Sequence, residues 1–198
     1  MSYDDSVVAQ KLRRWEKYLN SYHLPEWKDI PDFGLYMEQV IDLLKLHLDY
    51  LPPELKVEQF ITAATINNYV RTKVMPQPVK KKYYREHIAY LIIILTLKQS
   101  LSIAMIQKII PMGLERSEVE SIYSSYVLRH SIAARFFTEQ VRQTSAKLLN
   151  HADVPDYAVD KAEDLITSSA IIGGFTRLLS EKLLLLEGKG PEEAGELE

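Results

Sequence analysis

Cysteine is absent from this 198-residue chain, which excludes disulfides, thiolate metal sites, cysteine nucleophiles and thiol redox sensing at once. Glycine is scarce, at 7 residues, and no glycine-rich phosphate loop or collagenous or low-complexity pattern is present. No apolar run comes near the ~20 residues of a membrane helix. The longest, Ile88 to Leu97, contains Tyr90 and Thr96. The opening residues, with Asp4 and Asp5 ahead of Lys11, Arg13 and Arg14, lack the apolar centre of a secretory signal. These absences predict a soluble, cytoplasmic chain with no membrane partner.

Catalytic and metal-binding signatures are missing too. His23, His47, His87, His130 and His151 show no ligand spacing among themselves or with nearby carboxylates. No Ser-His-Asp or paired-carboxylate signature stands out. The chain is therefore expected to be no enzyme and to carry no metal or cofactor. What it does have is 46% hydrophobic and 26% charged residues, the composition of one or two folded domains.

Its charge is unevenly placed. Net charge is −3, yet Thr62 to Arg85 holds six Lys and Arg residues and no acid, so a local +6 stands against −9 for the remainder. A basic surface on an acidic body attracts phosphate backbones through counterion release. A solvated basic loop is the plainer alternative.

Helical periodicity runs through most of the chain. Ser6 to Tyr22 carries Val7, Val8, Leu12, Trp15 and Leu19 near helical spacing. Leu24 to Phe33 is a connection, and Asp32 or Gly34 is a candidate start for a helix over Leu35 to Leu51, ended by Pro52-Pro53. Leu55 to Phe60 is ambiguous. Thr62 reads as the N-cap of a helix from Ala63 to Arg71, closed off by Pro76 and Pro78. Ile66, Tyr69 and Val70 share one face, leaving Thr65, Asn67, Asn68 and Arg71 outward. Val74 to Tyr84 lacks a helical period and reads as a short hairpin or wing. Arg85-Glu86-His87 leads into Ile88 to Leu97, a helix apolar enough to need burial around most of its circumference.

The remainder reads as helical. Ser102 caps a short helix through Ile110, stopped by Pro111 to Gly113. Ser117 and Glu120 stand at capping-box spacing for a helix to His130, and another runs to about Leu149. From Tyr157 to Leu186, the residues Ala158, Ala162, Leu165, Ser169, Ile172, Thr176, Leu179, Leu183 and Leu186 recur in steps of four and three. Such a seam needs a partner, either in this chain or in a second subunit. Tyr123, Tyr126, Phe136 and Phe137 suit a core better than the wall of a ligand cavity. Glu187 to Glu198 reads as a frayed tail.

Several strings fall in a familiar order: Thr65-Ile66-Asn67-Asn68-Tyr69, Lys73-Val74-Met75-Pro76, Lys81-Lys82-Tyr83, Ile88 to Leu91 with Ile94, and Ser102-Ile103-Ala104-Met105-Ile106. Through them, Thr62 to Ile106 resembles the DNA-binding domain of MerR-type winged-helix regulators. With Leu24-Pro25-Glu26-Trp27 and Ile66-Asn67-Asn68-Tyr69-Val70, the stretch from about 24 to 150 also resembles a bacterial family known only as domain of unknown function 1836. The MerR resemblance implies that Leu35 to Leu51 supplies the first helix of a helix-turn-helix, on a longer link than usual. It puts Asn67 where those regulators carry a contacting Arg, Asn68 at their first Tyr, and Lys73 at their helix-ending Gly. Asn can still read adenine through paired hydrogen bonds. A lysine at positive φ costs on the order of 1 kcal/mol, so this helix is expected to end differently.

These readings predict a mostly α fold: a MerR-like winged helix-turn-helix with a short two-stranded wing, plus a C-terminal helical bundle or dimerisation helices. Its expected segments are an N-terminal helix and connection (1–29), the winged helix (30–110), a helical region (111–187) and a tail (188–198). The expected function is a sequence-specific transcription regulator on double-stranded DNA. Thr62, Thr65, Asn67, Asn68 and Arg71 belong to the recognition helix, and Lys73, Lys80, Lys81, Lys82 and Arg85 to its basic surroundings. Tyr69 and Tyr83 would pack inward while donating a phenolic hydrogen bond to phosphate at the rim. A homodimer through the C-terminal helices is expected, and a small-molecule effector is left open. The alternatives are a helical protein-interaction module on the same scaffold, or an RNA-associated factor.

Overall fold

The computed structural model describes residues 4–48 and 61–185. Those residues form seven α-helices and one 3-10 turn. The helices are α1 (Asp5–Ser21), α2 (Met37–Leu48), α3 (Ala63–Arg71), α4 (Arg85–Leu97), α5 (Ile103–Ile109), α6 (Arg116–Thr144) and α7 (Ala162–Leu185); the 3-10 turn is Trp27–Asp29. The fold is mostly helical, as the periodicity requires. Leu51, Pro52-Pro53, the Leu55 to Phe60 stretch and the tail from Leu186 lie outside the described residues.

Helix starts follow two chemistries. In α1, α3 and α5 the N-cap side chain does the work: Asp4 accepts from the Ser6 and Val7 amides, Thr62 from Thr65 and Ser102 from Met105. In α2, α4 and α6 the residue three places inside reaches back instead. Gln39 accepts from the Tyr36 N–H at 2.9 Å, His87 Nδ1 from Tyr84 at 3.1 Å, and Glu118 from Glu115 at 2.8 Å. The box expected at Ser117 and Glu120 is therefore replaced by Glu115 and Glu118, two residues earlier. The helix it starts runs unbroken to Thr144, so the two helices expected there are one.

The chain divides into two units. One spans Leu24–Leu128. Its centre is α4, in which every residue from His87 to Leu95 is buried. Such a helix is stable only when enclosed, and α2 and α5 pack against it while α2 also meets α3. Buried phenols tie the connecting segments down: Tyr90 donates to the Pro111 carbonyl at 2.7 Å, and Tyr123 to Pro25 at 2.8 Å. Tyr123 thus belongs to the core, with Trp27 6.1 Å away.

The expected two-stranded wing does not form strands among the described residues. Val79 and Lys82 exchange both backbone hydrogen bonds at 3.0 Å around a two-residue turn, and the pairing stops there. The next bonds of a ladder would join Gln77 and Tyr84, but His87 takes both groups, the Tyr84 N–H at Nδ1 and the Gln77 carbonyl at Nε2. Tyr83 instead pairs with Leu35, again through two hydrogen bonds, of 2.8 Å each.

The other unit contains α1, the chain from Arg129 onward within α6, and α7. Trp15 meets Phe137 edge-on at 5.4 Å, and Arg13 donates to the Leu149 carbonyl at 3.1 Å. Between α1 and α6 a cavity of about 10 Å³ remains, lined by Leu12, Trp15, Val141 and Leu149 among others, with room for one water. Phe136 points to solvent and is no part of a core. Burial pushes the His130 imidazole below its ordinary value. α7 begins at Ala162, so Ala158 of the predicted seam precedes the helix.

Gly34 marks the tightest approach. A Cβ there would stand 2.9 Å from Lys82 Cβ and 3.1 Å from Tyr84 Cζ. Gly34→Ala should cost about 1–3 kcal/mol through overpacking, read as a lower urea midpoint with an unchanged slope. An unchanged midpoint would mean that the hairpin does not lie against this segment.

Candidate nucleic-acid interface

α3 is set by its ends and by two inward residues. The Thr62 hydroxyl accepts the Thr65 N–H at 3.1 Å and lies 3.0 Å from the Thr65 hydroxyl, so both threonines serve the helix start. Ile66 and Tyr69 are buried one turn apart. Asn67, Asn68 and Arg71 are consequently exposed on the opposite face. The Asn67 side chain makes no hydrogen bond among the described residues. Arg71 Nη2 donates to Asn68 Oδ1 at 2.8 Å, which occupies the oxygen that adenine recognition would use while the Asn68 amide donors remain open.

The helix does end on a left-handed residue, against the expectation for a lysine. Lys73 has φ +57°. The Val74 N–H reaches the Tyr69 carbonyl at 2.9 Å and the Lys73 N–H reaches Val70 at 3.1 Å, the paired bonds of a Schellman end. Buried Val74 and Tyr69 supply its apolar contact. Burial and two backbone bonds together outweigh the ~1 kcal/mol penalty of a left-handed side chain. The Lys73 carbonyl is also taken, by Gln107 Nε2 of α5 at 3.2 Å.

The hairpin tip repeats the pattern. Lys80 and Lys81 have φ +50° and +65°, the two left-handed central residues of a type I′ turn, a place ordinarily filled by Asn-Gly. Both side chains are exposed. Lys73, Lys80 and Lys81 pair with no acid among the described residues. Lys80 lies seven positions after Lys73, a reach of at most about 25 Å.

The remaining predicted residues have internal roles. Lys82 is half-buried, its ammonium 5.3 Å from the centre of the Tyr36 ring. Tyr69 and Tyr83 are buried, and desolvation holds both phenols above their ordinary pKa. Arg85 was counted with the basic surface, but its side chain is only 15% exposed. Its Nε donates to the Ile30 carbonyl at 2.7 Å, its guanidinium lies 5.6 Å from the Trp27 ring, and Asp32 stands 3.8 Å away. Asp32 in turn pairs with Arg116, which also holds Glu86 at 3.2 Å. The structure therefore brings Asn67, Asn68, Arg71 and Lys73 onto one short helix and its end, with Lys80 and Lys81 on the hairpin, and sets Arg85 apart. Gly34, Tyr36 and Gln107, which support this arrangement, carry no motif that would single them out in sequence.

His87 shows how the hairpin is fastened to α4. With Nδ1 accepting from Tyr84, Nε2 is the protonated nitrogen and donates to the Gln77 carbonyl at 2.9 Å. No cluster of three or more metal-binding side chains occurs among the described residues, and no helix there is long and apolar enough to cross a membrane.

Arg85→Ala should lower stability by about 2–3 kcal/mol, since a charge-assisted bond and a ring contact are lost together. Chemical denaturation checks this. A shift under 0.5 kcal/mol would return Arg85 to the surface inventory.

Comparison with known proteins adds one finding to this geometry. No curated protein and no solved structure matches the chain. A family model described as "Domain of unknown function (DUF1836)" matches residues 25–126, half of the chain and nearly all of the unit that carries α3, the hairpin and α4. The chain belongs to this family.

Proposed function

We propose that the unit Leu24–Leu128 is a winged-helix reader of double-stranded DNA, with α3 as its recognition helix and the Val79–Lys82 hairpin as a minimal wing, and that the protein regulates transcription. One observation carries this reading. Lys73, Lys80 and Lys81 all occupy left-handed backbone positions, where glycine or asparagine would be more stable. They are exposed and without acidic partners among the described residues, so fold stability does not account for them. Three cations around a helix that presents Asn67, Asn68 and Arg71 suit phosphates at the rim and base edges in a groove about 12 Å wide. The helix–helix–hairpin–helix order of α2, α3, Val79–Lys82 and α4 supports the MerR-like comparison. Nothing in this reading requires a catalytic group or a metal.

A second reading, a protein-interaction module on the same scaffold, is favoured by Phe33, Tyr36 and Val79, which are exposed beside the hairpin. An acidic segment with apolar side chains would use both the lysines and these rings.

Fluorescence anisotropy with a labelled duplex spanning the protein's own promoter, at two salt concentrations and with an unrelated duplex as competitor, separates the two. The DNA reading expects saturable, salt-sensitive binding that the competitor does not abolish. Replacing the tip by Lys80→Asn with Lys81→Gly should stabilise the fold by about 1 kcal/mol and still weaken DNA binding, lowering the salt slope by about 2. A more stable variant with undiminished affinity would remove the hairpin from the interface. No binding at low salt would leave the protein-interaction reading.

A further inference from the structure

α7 displays an apolar face that its own unit does not cover. Ile171, Ile172, Phe175, Leu178, Leu179 and Leu183 are each between 51% and 67% exposed. At about 100° per residue they fall within roughly 140° of the helix circumference. Arg177 and Glu181, joined by an ion pair at 2.9 Å, lie on the opposite side. From Leu165 to Thr176 there is no charged residue. Buried Ala162 and Leu165 anchor the first turn, and Leu165 continues the line of Ile172, Leu179 and Leu183 at seven-residue spacing, with a final step of four.

The area decides what such a face is for. The six side chains leave roughly 600–700 Å² of apolar surface in water, at or above the upper end of what monomers ordinarily display. Two copies that pair these faces would remove on the order of 1,300 Å², within the range of stable interfaces. The face carries no charge for a partner of opposite sign to complement. Ile172 stands near the midpoint of Ala162–Leu185 with apolar residues on both sides, so one patch can meet its own copy about a two-fold axis.

We propose that α7 packs against α7 of a second copy of this chain through the face centred on Ile172, Phe175 and Leu179. This inference is independent of the nucleic-acid reading, and its failure would leave that reading untouched. Sedimentation of the full chain tests it. The unaltered protein should sediment at twice the 22.9 kDa of one chain, and Ile172→Glu with Leu179→Glu should sediment as a monomer with its thermal transition retained. Because the chain has no cysteine, single-cysteine variants give a second readout that needs no disruption. Ile172→Cys should form a covalent dimer on mild oxidation, while Arg177→Cys on the far side should not. A monomer at 100 μM on the order of typical working concentrations, equal cross-linking from both cysteines, or a monomer in which Ile172→Cys resists alkylation would each overturn the proposal, the last by assigning the face to the chain's own residues.

Discussion

The enclosure of α4 is the constraint on which the family domain depends. A helix with no polar face from His87 to Leu95 has no stable existence in water, so α2, α5 and the segments held by Tyr90 and Tyr123 are arranged to cover it. Its first turn is the exception that makes the rest possible. There His87 accepts from one side and donates to the other, and Arg85 reaches the Ile30 carbonyl. Those polar contacts bind the hairpin and the Trp27 segment to the one element that cannot move without exposing the core.

Around that centre the polar residues divide their labour. Thr62, Thr65, Tyr69, Tyr83 and Arg85 maintain the shape, while Asn67, Arg71, Lys73, Lys80 and Lys81 face solvent. A net count of basic residues merges the two groups. Separating them reduces the basic working surface to a helix end and a hairpin tip, a few residues with fixed backbones. On the proposed nucleic-acid reading such preorganisation favours binding, because residues already held in place lose little freedom.

Much of this was legible in the sequence where the signal is local. The caps at Thr62 and Ser102, the outward face of α3 and the buried character of the helix expected over Ile88 to Leu97 follow from side-chain chemistry at fixed spacing, and the structure has them, with full burial reaching Leu95. Three features were not legible, each for a physical reason. Helix starts at Tyr36, Tyr84 and Glu115 carry no typical N-cap, since the accepting group is Gln39, His87 or Glu118 inside the helix. Left-handed lysines look like any other lysines, because their φ values are imposed by neighbours such as Val74 and the Val79–Lys82 pair. The internal role of Arg85 depends on Ile30, 55 residues away in the chain, which no window of periodicity can sense.

The geometry of the hairpin tip bears finally on how the chain meets proteases. Lys80-Lys81-Lys82 is an attractive run for a trypsin-like enzyme, and an exposed loop tip is where nicking usually falls. Here, however, the peptide bonds sit in a two-residue turn clamped by hydrogen bonds on both sides, far from the extended form that a protease cleft accepts. Cleavage must wait until the Val79–Lys82 pair opens, and the rate at which these three lysines are cut is therefore a clock: it reports local opening of the hairpin, separately from unfolding of the α4 core.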